Sequence, residues 1–180
     1  MEYTSKIYNE ARLVAIQAHG NQTYDGIYPY VKHLDDVVSV IKRFGFSGKY
    51  IVGGFLHDSI EDGAISYNKI KTAFGYEVAE MVFLVTDEMG RNRREKKVKT
   101  LPKTGSHIDG IILKLADRIA NIEHGGKVDM YKKEYDDFCI ALRRENQGEQ
   151  VEAMWDCLDK LLGVMENYWK NFPKHLLEKL

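Results

Sequence analysis

Apolar residues recur at three- and four-residue spacing along almost the whole chain, the period of amphipathic helices. Ile7, Ala11, Val14, Ala15 and Ala18 outline a first helix, ended by Gly20. Residues 21–29 are turn-rich. Leu34, Val37, Val38, Ile41 and Phe44 outline a second helix, with His33 at its start. Ser47 is placed to cap a third, which carries Ile51, Val52, Phe55 and Leu56 and runs to about Gly63. Ser66 caps a short helix ending at Phe74, and Val78, Met81, Val82 and Val85 mark the next. After a stretch without a clean period, Ile108, Ile111, Ile112, Leu115, Ile119 and Ile122 define a strongly amphipathic helix broken by Gly125-Gly126. Two more helices follow, one with Tyr131, Tyr135, Phe138 and Leu142, the other with Val151, Met154, Trp155, Leu158, Leu162 and Met165. No segment reads as a strand. The pattern predicts an all-α fold, a compact helical bundle formed by residues 1–180 as a single domain.

Composition changes this picture little. The chain has only 3 prolines, which leaves long stretches free to be helical. Its net charge of −1 gives no global basic field for nucleic acid. The average hides one asymmetry. Residues 89–103 hold Arg91, Arg93, Arg94, Lys96, Lys97, Lys99 and Lys103 against Glu95 alone, a local +6, so the remainder is −7. This basic segment is expected to be a loop or a loosely held helix. Cys139 and Cys157 fall at apolar helical positions and read as reduced core thiols. Residues 1–10 are charged and lack an apolar run, and nothing approaches the roughly 20 apolar residues of a membrane span. The expected setting is cytoplasmic, with no membrane partner and no nucleic acid. The oligomeric state is left open.

The chemistry concentrates in few residues. His33, the pair His57-Asp58, and Asp117 offer two imidazoles and two carboxylates. A mixed nitrogen and oxygen set suits manganese, iron, cobalt or zinc better than calcium. On a continuous helix His57 would share a face with Glu61, and Asp58 with Asp62. An ion held by the first pair would then lie beside two further carboxylates, a layout for activating a water next to acid/base groups. Asp117 interrupts an apolar helix face, where an unpartnered carboxylate is costly. A metal explains its presence; an ion pair with Lys114 or Arg118 explains it less well. His19 is expected to pack near the site, and His107, His124 and His175 to lie on the surface.

These residues fall in ordered motifs. Pro29-Tyr30-Val31-Lys32-His33 follows Ala18-His19 and a turn. Phe55-Leu56-His57-Asp58-Ser59-Ile60-Glu61-Asp62 comes next, then Phe74-Gly75 and Val85-Thr86. Lys114-Leu115-Ala116-Asp117-Arg118-Ile119-Ala120-Asn121 completes the series. From about residue 5 to about residue 145 the chain resembles HD-domain metal-dependent phosphohydrolases, and more closely the hydrolase domain of the RelA/SpoT family and its free-standing small alarmone hydrolases. The resemblance implies metal ligands at His33, His57, Asp58 and Asp117, an acid/base pair at Glu61 and Asp62, and a nucleotide-contacting asparagine at Asn121. It implies one divalent ion, usually Mn2+ (Fe2+, Zn2+ and Co2+ being alternatives), and a small-molecule nucleotide substrate. The implied reaction removes pyrophosphate from the 3′ position of guanosine tetra- or pentaphosphate. At this length there is no room for the family's synthetase and regulatory domains.

Two departures stand out. Where members often carry an arginine that packs on guanine and a lysine after it, this chain has Tyr24 and Asp25. Tyr24 is expected to stack on a base, while Asp25 puts an anion near a polyphosphate. A later arginine is replaced by Tyr131, and Tyr135 is the expected match of the family's tyrosine nearby. Arg91, Arg93, Arg94, Lys96 and Lys97 are expected to contact phosphate. The departures keep other substrates in view: an adenosine alarmone, a deoxynucleoside triphosphate or the phosphate of NADPH. A non-catalytic nucleotide-binding module is the remaining alternative, opposed by the retained Glu61-Asp62.

Overall fold

A computed structural model of the protein describes residues 2–62, 65–165 and 168. Ten helices and one minimal hairpin make up the described residues. α1 (Ser5–His19) is followed by β1 (Thr23–Tyr24) and β2 (Tyr28–Pro29), then α2 (Val31–Arg43), α3 (Lys49–Leu56), α4 (Tyr67–Phe74) and α5 (Tyr76–Val85). The second half holds α6 (Arg93–Gly105), α7 (Ile108–Glu123), α8 (Val128–Lys133), α9 (Tyr135–Leu142) and α10 (Glu149–Leu162). Among the described residues no helix is long and apolar enough to cross a membrane.

The all-α expectation holds, and α7 is its axis. Every residue from Asp109 to Ile122 except Lys114 is buried, because α2, α3, α5, α6 and α10 all pack around this helix. Such a helix carries its polar side chains into the interior only if they are partnered. Asp109, Asp117, Arg118 and Asn121 are those side chains. On α3, a Cβ at Gly54 would come within 2.7 Å of Ile41 Cδ1 and 3.0 Å of Val38 Cγ2. Glycine therefore lets α3 lie close against α2, which brings the His57 end of one helix to the His33 end of the other.

The structure corrects several boundaries. α3 ends at Leu56, well before residue 63. Ser59 N bonds back to Leu56 O at 2.9 Å, a tighter three-residue closure, and residues 57–62 continue as turns. Only Asp58 and Asp62 keep a helical relation, through Asp62 N to Asp58 O at 3.0 Å. Gly48 (φ 62°), not Ser47, occupies the cap of α3. The turn-rich segment is a two-stranded antiparallel hairpin with Tyr24 opposite Tyr28. Asp25 (φ 52°) and Gly26 (φ 72°) take positive φ under an Ile27 N to Tyr24 O bond of 3.2 Å. An Asp-Gly pair favours that turn, and two-residue strands are too short to show an alternating pattern.

The basic segment is a full helix, α6, capped by Asn92 Oδ1 on Glu95 N at 2.9 Å. Its buried side is largely hydroxyl: Thr104 donates to Leu84 O at 2.8 Å, and Thr100 accepts from Glu88 N at 2.8 Å. Apolar periodicity could not reveal it. The helix expected over Tyr131–Leu142 is two pieces, α8 and α9, divided at Glu134. α10 stops at Leu162, with Gly163 in the left-handed cap, so Met165 is exposed. Cys139 is buried and Cys157 partly so, both free. His175 lies outside the described residues.

Candidate metal centre and adjoining cavity

The metal-ligand candidates converge. His33, near the start of α2, and His57, just past α3, place their Nε2 atoms 3.2 Å apart. His57 Nε2 is 3.1 Å from Asp58 Oδ2. Asp117 Oδ1 lies 3.4 Å from His33 Nε2 and 3.8 Å from His57 Nε2. Metal–ligand bonds of about 2.0–2.2 Å put adjacent ligands roughly 3–3.6 Å apart. His33, His57 and Asp58 form a group with donor atoms all within 4.8 Å of one another.

Tautomer and charge agree with this reading. His57 Nδ1 donates to Gly54 O at 2.9 Å. Its Nε2 lone pair is therefore turned toward the other ligands, the usual support given to a metal-bound imidazole. Burial disfavours an imidazolium at His57, yet Asp58 and Asp117 push its pKa up to about 9. Burial likewise opposes the Asp58 carboxylate, but His57 beside it holds it below the usual range. The buried carboxylates thus favour positive charge at the centre, which a proton on His57 or a divalent ion can supply.

Neighbours hold the ligands in place. Tyr30 donates its hydroxyl to Asp58 Oδ2. Lys114 Nζ meets Asp117 Oδ2 at 2.8 Å, and Asn121 Nδ2 donates to Asp117 Oδ1 at 2.6 Å. The Lys114 ion pair is therefore present together with the imidazole contacts. Tyr24 stacks on His33 with centroids 4.9 Å apart and gives its hydroxyl to Asn121 Oδ1 at 3.0 Å.

The cluster opens into a cavity of about 260 Å3. Its acidic side adds Glu61, Asp62 and Asp87. Glu61 Oε2 accepts from Asp87 N at 3.2 Å; burial, with Asp87 and Asp58 nearby, raises its pKa. Asp62 Oδ2 is 3.2 Å from His19 Nδ1, and His19 stacks on Tyr30 at 4.4 Å. The opposite side carries Arg93, Lys97, Lys114, Arg118 and Lys127. Lys97 reaches Asp87 Oδ1 at 2.7 Å. Burial, with Lys114 close by, lowers its pKa.

Several expected substrate contacts are not brought here. Arg93 and Lys97 line the cavity; Arg91, Arg94 and Lys96 do not. Arg91 pairs with Glu95 in solvent, and Arg94 faces a separate groove between α6 and α9. Arg93 and Lys97 are one helical turn apart, and only that stripe of α6 looks inward. Tyr135 is also displaced: the break at Glu134 turns it away to donate to Asp159, and Tyr131 lines the cavity instead. Tyr24 does line the cavity, but it is 6% exposed, with its ring stacked on His33 and 4.5 Å from that of His124, so little of the ring is open to a base. Asp25 also lines the cavity, 3.4 Å from His124 Nε2, while His124 itself lies behind it and lines a separate hollow with Arg43 and Glu123. His107 caps α7 by accepting from Asp109 N at 3.2 Å.

Sequence reasoning did not single out Tyr30, Asp87 or Lys127, and it named Tyr131 only as the replacement of an arginine. Tyr30 lay in view beside His33. Asp87 had a signal in Val85-Thr86-Asp87, directly after a helix end.

Comparison with known proteins follows the same lines. A family model described as "HD domain" matches residues 11–136. The chain is 32% identical over 114 residues to guanosine-3′,5′-bis(diphosphate) 3′-pyrophosphohydrolase of Aquifex aeolicus (strain VF5), covering 61% of this chain and 16% of that protein. It is 31% identical over 126 residues to the bifunctional (p)ppGpp synthase/hydrolase SpoT of Escherichia coli (strain K12), covering 66% and 18%. The chain thus spans less than a fifth of the length of these curated relatives. Among solved structures, one is described with the words "A metazoan ortholog of SpoT hydrolyzes ppGpp and plays a role in starvation responses". It matches with a TM-score of 0.72 at 21% identity, over 92% of this chain and 100% of that one. The structure of lmo0812 from Listeria monocytogenes EGD-e matches with a TM-score of 0.58 at 20% identity, over 75% and 96%. At these identities the likeness is one of fold.

Proposed function

The chain belongs to the HD-domain family, and from that membership together with the charge layout of its cavity we propose that it is a metal-dependent nucleotide phosphohydrolase removing pyrophosphate from the 3′ position of guanosine tetra- or pentaphosphate. The observation that carries this reading is the division of one cavity into an anionic half, with Asp58, Asp117, Glu61 and Asp62 beside His33, and a cationic half, with Arg93, Lys97 and Arg118. A metal-activated attack on a polyphosphate needs both halves. The names of the curated relatives support the choice of substrate.

His33, His57, Asp58 and Asp117 would hold the ion, Mn2+ by preference. When bound, it supplies Lewis acidity toward a phosphoryl oxygen and toward water. The chain's own groups do the rest. Glu61, with its raised pKa, takes a proton from the attacking water. Asp62, steadied by His19, orients that water. The new bond joins the water oxygen to the phosphorus nearest the ribose. The bond from that phosphorus to O3′ breaks, and O3′ leaves with the proton that Glu61 took from the water. Arg93 and Lys97 offset the charge of the phosphate chain. Asn121, whose amide is engaged by both Asp117 and Tyr24, acts by fixing Asp117.

Asp25 favours a second reading of the substrate. It places a carboxylate on the cavity wall where the sequence resemblance anticipates a cation, which suits a less charged nucleotide. A panel of guanosine, adenosine and deoxynucleoside polyphosphates and NADPH, incubated with the manganese-loaded protein and resolved by ion-exchange chromatography, separates the two. Guanosine tetraphosphate turned over fastest supports the main reading; NADPH or a deoxynucleoside triphosphate turned over fastest replaces it.

A further inference from the structure

Arg118 is 2% exposed and lines the cavity. Its guanidinium lies 3.6 Å from the Phe138 ring centroid and 4.6 Å from that of Tyr131. Nη2 donates to Glu134 Oε2 at 3.3 Å. Nε and Nη1 have no hydrogen-bond partner among the described residues. Buried donors are nearly always paired, and charged ones most stringently. Two orphaned N–H groups on a cavity-lining guanidinium therefore point to an acceptor from outside the chain.

The surroundings define that acceptor. Glu134 also takes Arg93 in a two-point pair, at 2.5 and 3.1 Å. One carboxylate thus ties a guanidinium of α6 to a guanidinium of α7. Lys114, beside the metal-ligand cluster, and Lys97 complete a cationic wall of the same cavity. This wall carries four cations, against the carboxylates of Asp117, Asp87 and Glu134 that they contact. A guanidinium matches phosphate oxygens in a planar, two-point geometry that a lysine lacks. Burial lowers the Arg118 pKa to about 10, which still leaves it charged at neutral pH.

We propose that Arg118, coupled to Arg93 through Glu134, receives the terminal phosphate of a pyrophosphoryl group whose inner phosphate sits at the metal-ligand cluster, so that the site selects diphosphate esters over monophosphate esters. This rests on the phosphohydrolase reading above. It adds the residue that reads the second phosphate of the reacting group. A merely structural Arg118 would serve only to fill the space between Phe138 and Tyr131.

Calorimetric titration of the metal-loaded protein with inorganic pyrophosphate and with orthophosphate separates the two roles. The wild type should bind pyrophosphate more tightly. The variant Arg118→Met keeps the volume, and Glu134 stays paired with Arg93. It should lose about tenfold or more in pyrophosphate affinity, the scale of a charged hydrogen bond, with orthophosphate changed less than about twofold. An equal pyrophosphate affinity in the folded variant overturns the proposal. Should that variant not fold, the wild type decides: the Arg118 Nε–H resonance of the 15N-labelled, zinc-loaded protein should shift on adding pyrophosphate and stay in place with orthophosphate. A resonance unmoved at saturating pyrophosphate overturns the proposal as well. Failure of the wild type to hydrolyse any nucleotide would instead sink the phosphohydrolase reading and leave the pyrophosphate result standing.

Discussion

The Nε2 atoms of His33 and His57 face each other across 3.2 Å, on chain segments 24 residues apart. That distance suits either a hydrogen bond from one ring nitrogen to the other or two lone pairs turned toward one cation. The Nδ1 proton of His57 is committed to Gly54 O, which makes its Nε2 an acceptor. The relationship predicts that Asp117→Asn, which removes the charge of the neighbouring carboxylate, strips the metal while leaving the helices intact. Mass spectrometry of the bound element together with far-ultraviolet circular dichroism checks this. Full occupancy in the variant would contradict the ligand assignment.

Glu61→Gln and Asp62→Asn should retain metal and lose turnover by roughly a hundredfold or more, the usual scale for losing a general acid or base. Both side chains line the cavity without belonging to the group formed by His33, His57 and Asp58. Wild-type rates in both variants would remove them from the chemistry.

The pH profile carries a signed prediction. Burial, Asp87 and Asp58 raise the Glu61 pKa, and Lys114 opposes them. As a base Glu61 must be ionised, so kcat/KM should fall as pH drops through a pKa above the ordinary 4.5. Asp87→Asn removes one of the raising charges, so the acid limb should move to lower pH. A limb that stays fixed in this variant belongs to another group.

On α6 the structure separates residues that look alike in sequence. Arg93→Ala and Lys97→Ala should each raise KM for a nucleoside polyphosphate, more strongly at low salt because partly exposed charges are screened. Arg91→Ala, Arg94→Ala and Lys96→Ala should change KM by less than about twofold, since they lie outside the cavity. Steady-state kinetics at two ionic strengths distinguishes the groups.

This contrast shows what was legible in the chain and what was not. The helical period and the His33, His57, Asp58 and Asp117 set were readable because helices repeat and metal ligands are few residue types. The inward stripe of α6 was not, because its buried side chains are Leu101 with Thr100 and Thr104, whose hydroxyls bond back to Lys96 O and Thr100 O, so one apolar residue leaves no period to read. Tyr135 and Tyr131 could not be ranked without the break at Glu134. Tyr24 looked available for a base until its ring was found against His33.

Helix approach can be tested independently of chemistry. Gly54→Val should destabilise the fold by about 1–3 kcal/mol through overpacking against Ile41 and Val38. It should also weaken metal binding by spreading α3 from α2. Thermal melts with and without metal measure both effects. Unchanged metal affinity would show that the spacing of these helices does not set the site.

The central claim is that these residues form a metal centre for 3′-pyrophosphate removal. It is tested most directly by 31P NMR of guanosine tetraphosphate incubated with the metal-stripped and the manganese-loaded protein, the paramagnetic ion being chelated before each spectrum. The account predicts guanosine 5′-diphosphate and pyrophosphate in equal amounts from the loaded protein and no conversion by the stripped one. Equal conversion by both forms, release of orthophosphate in place of pyrophosphate, or no conversion by the loaded protein would contradict it.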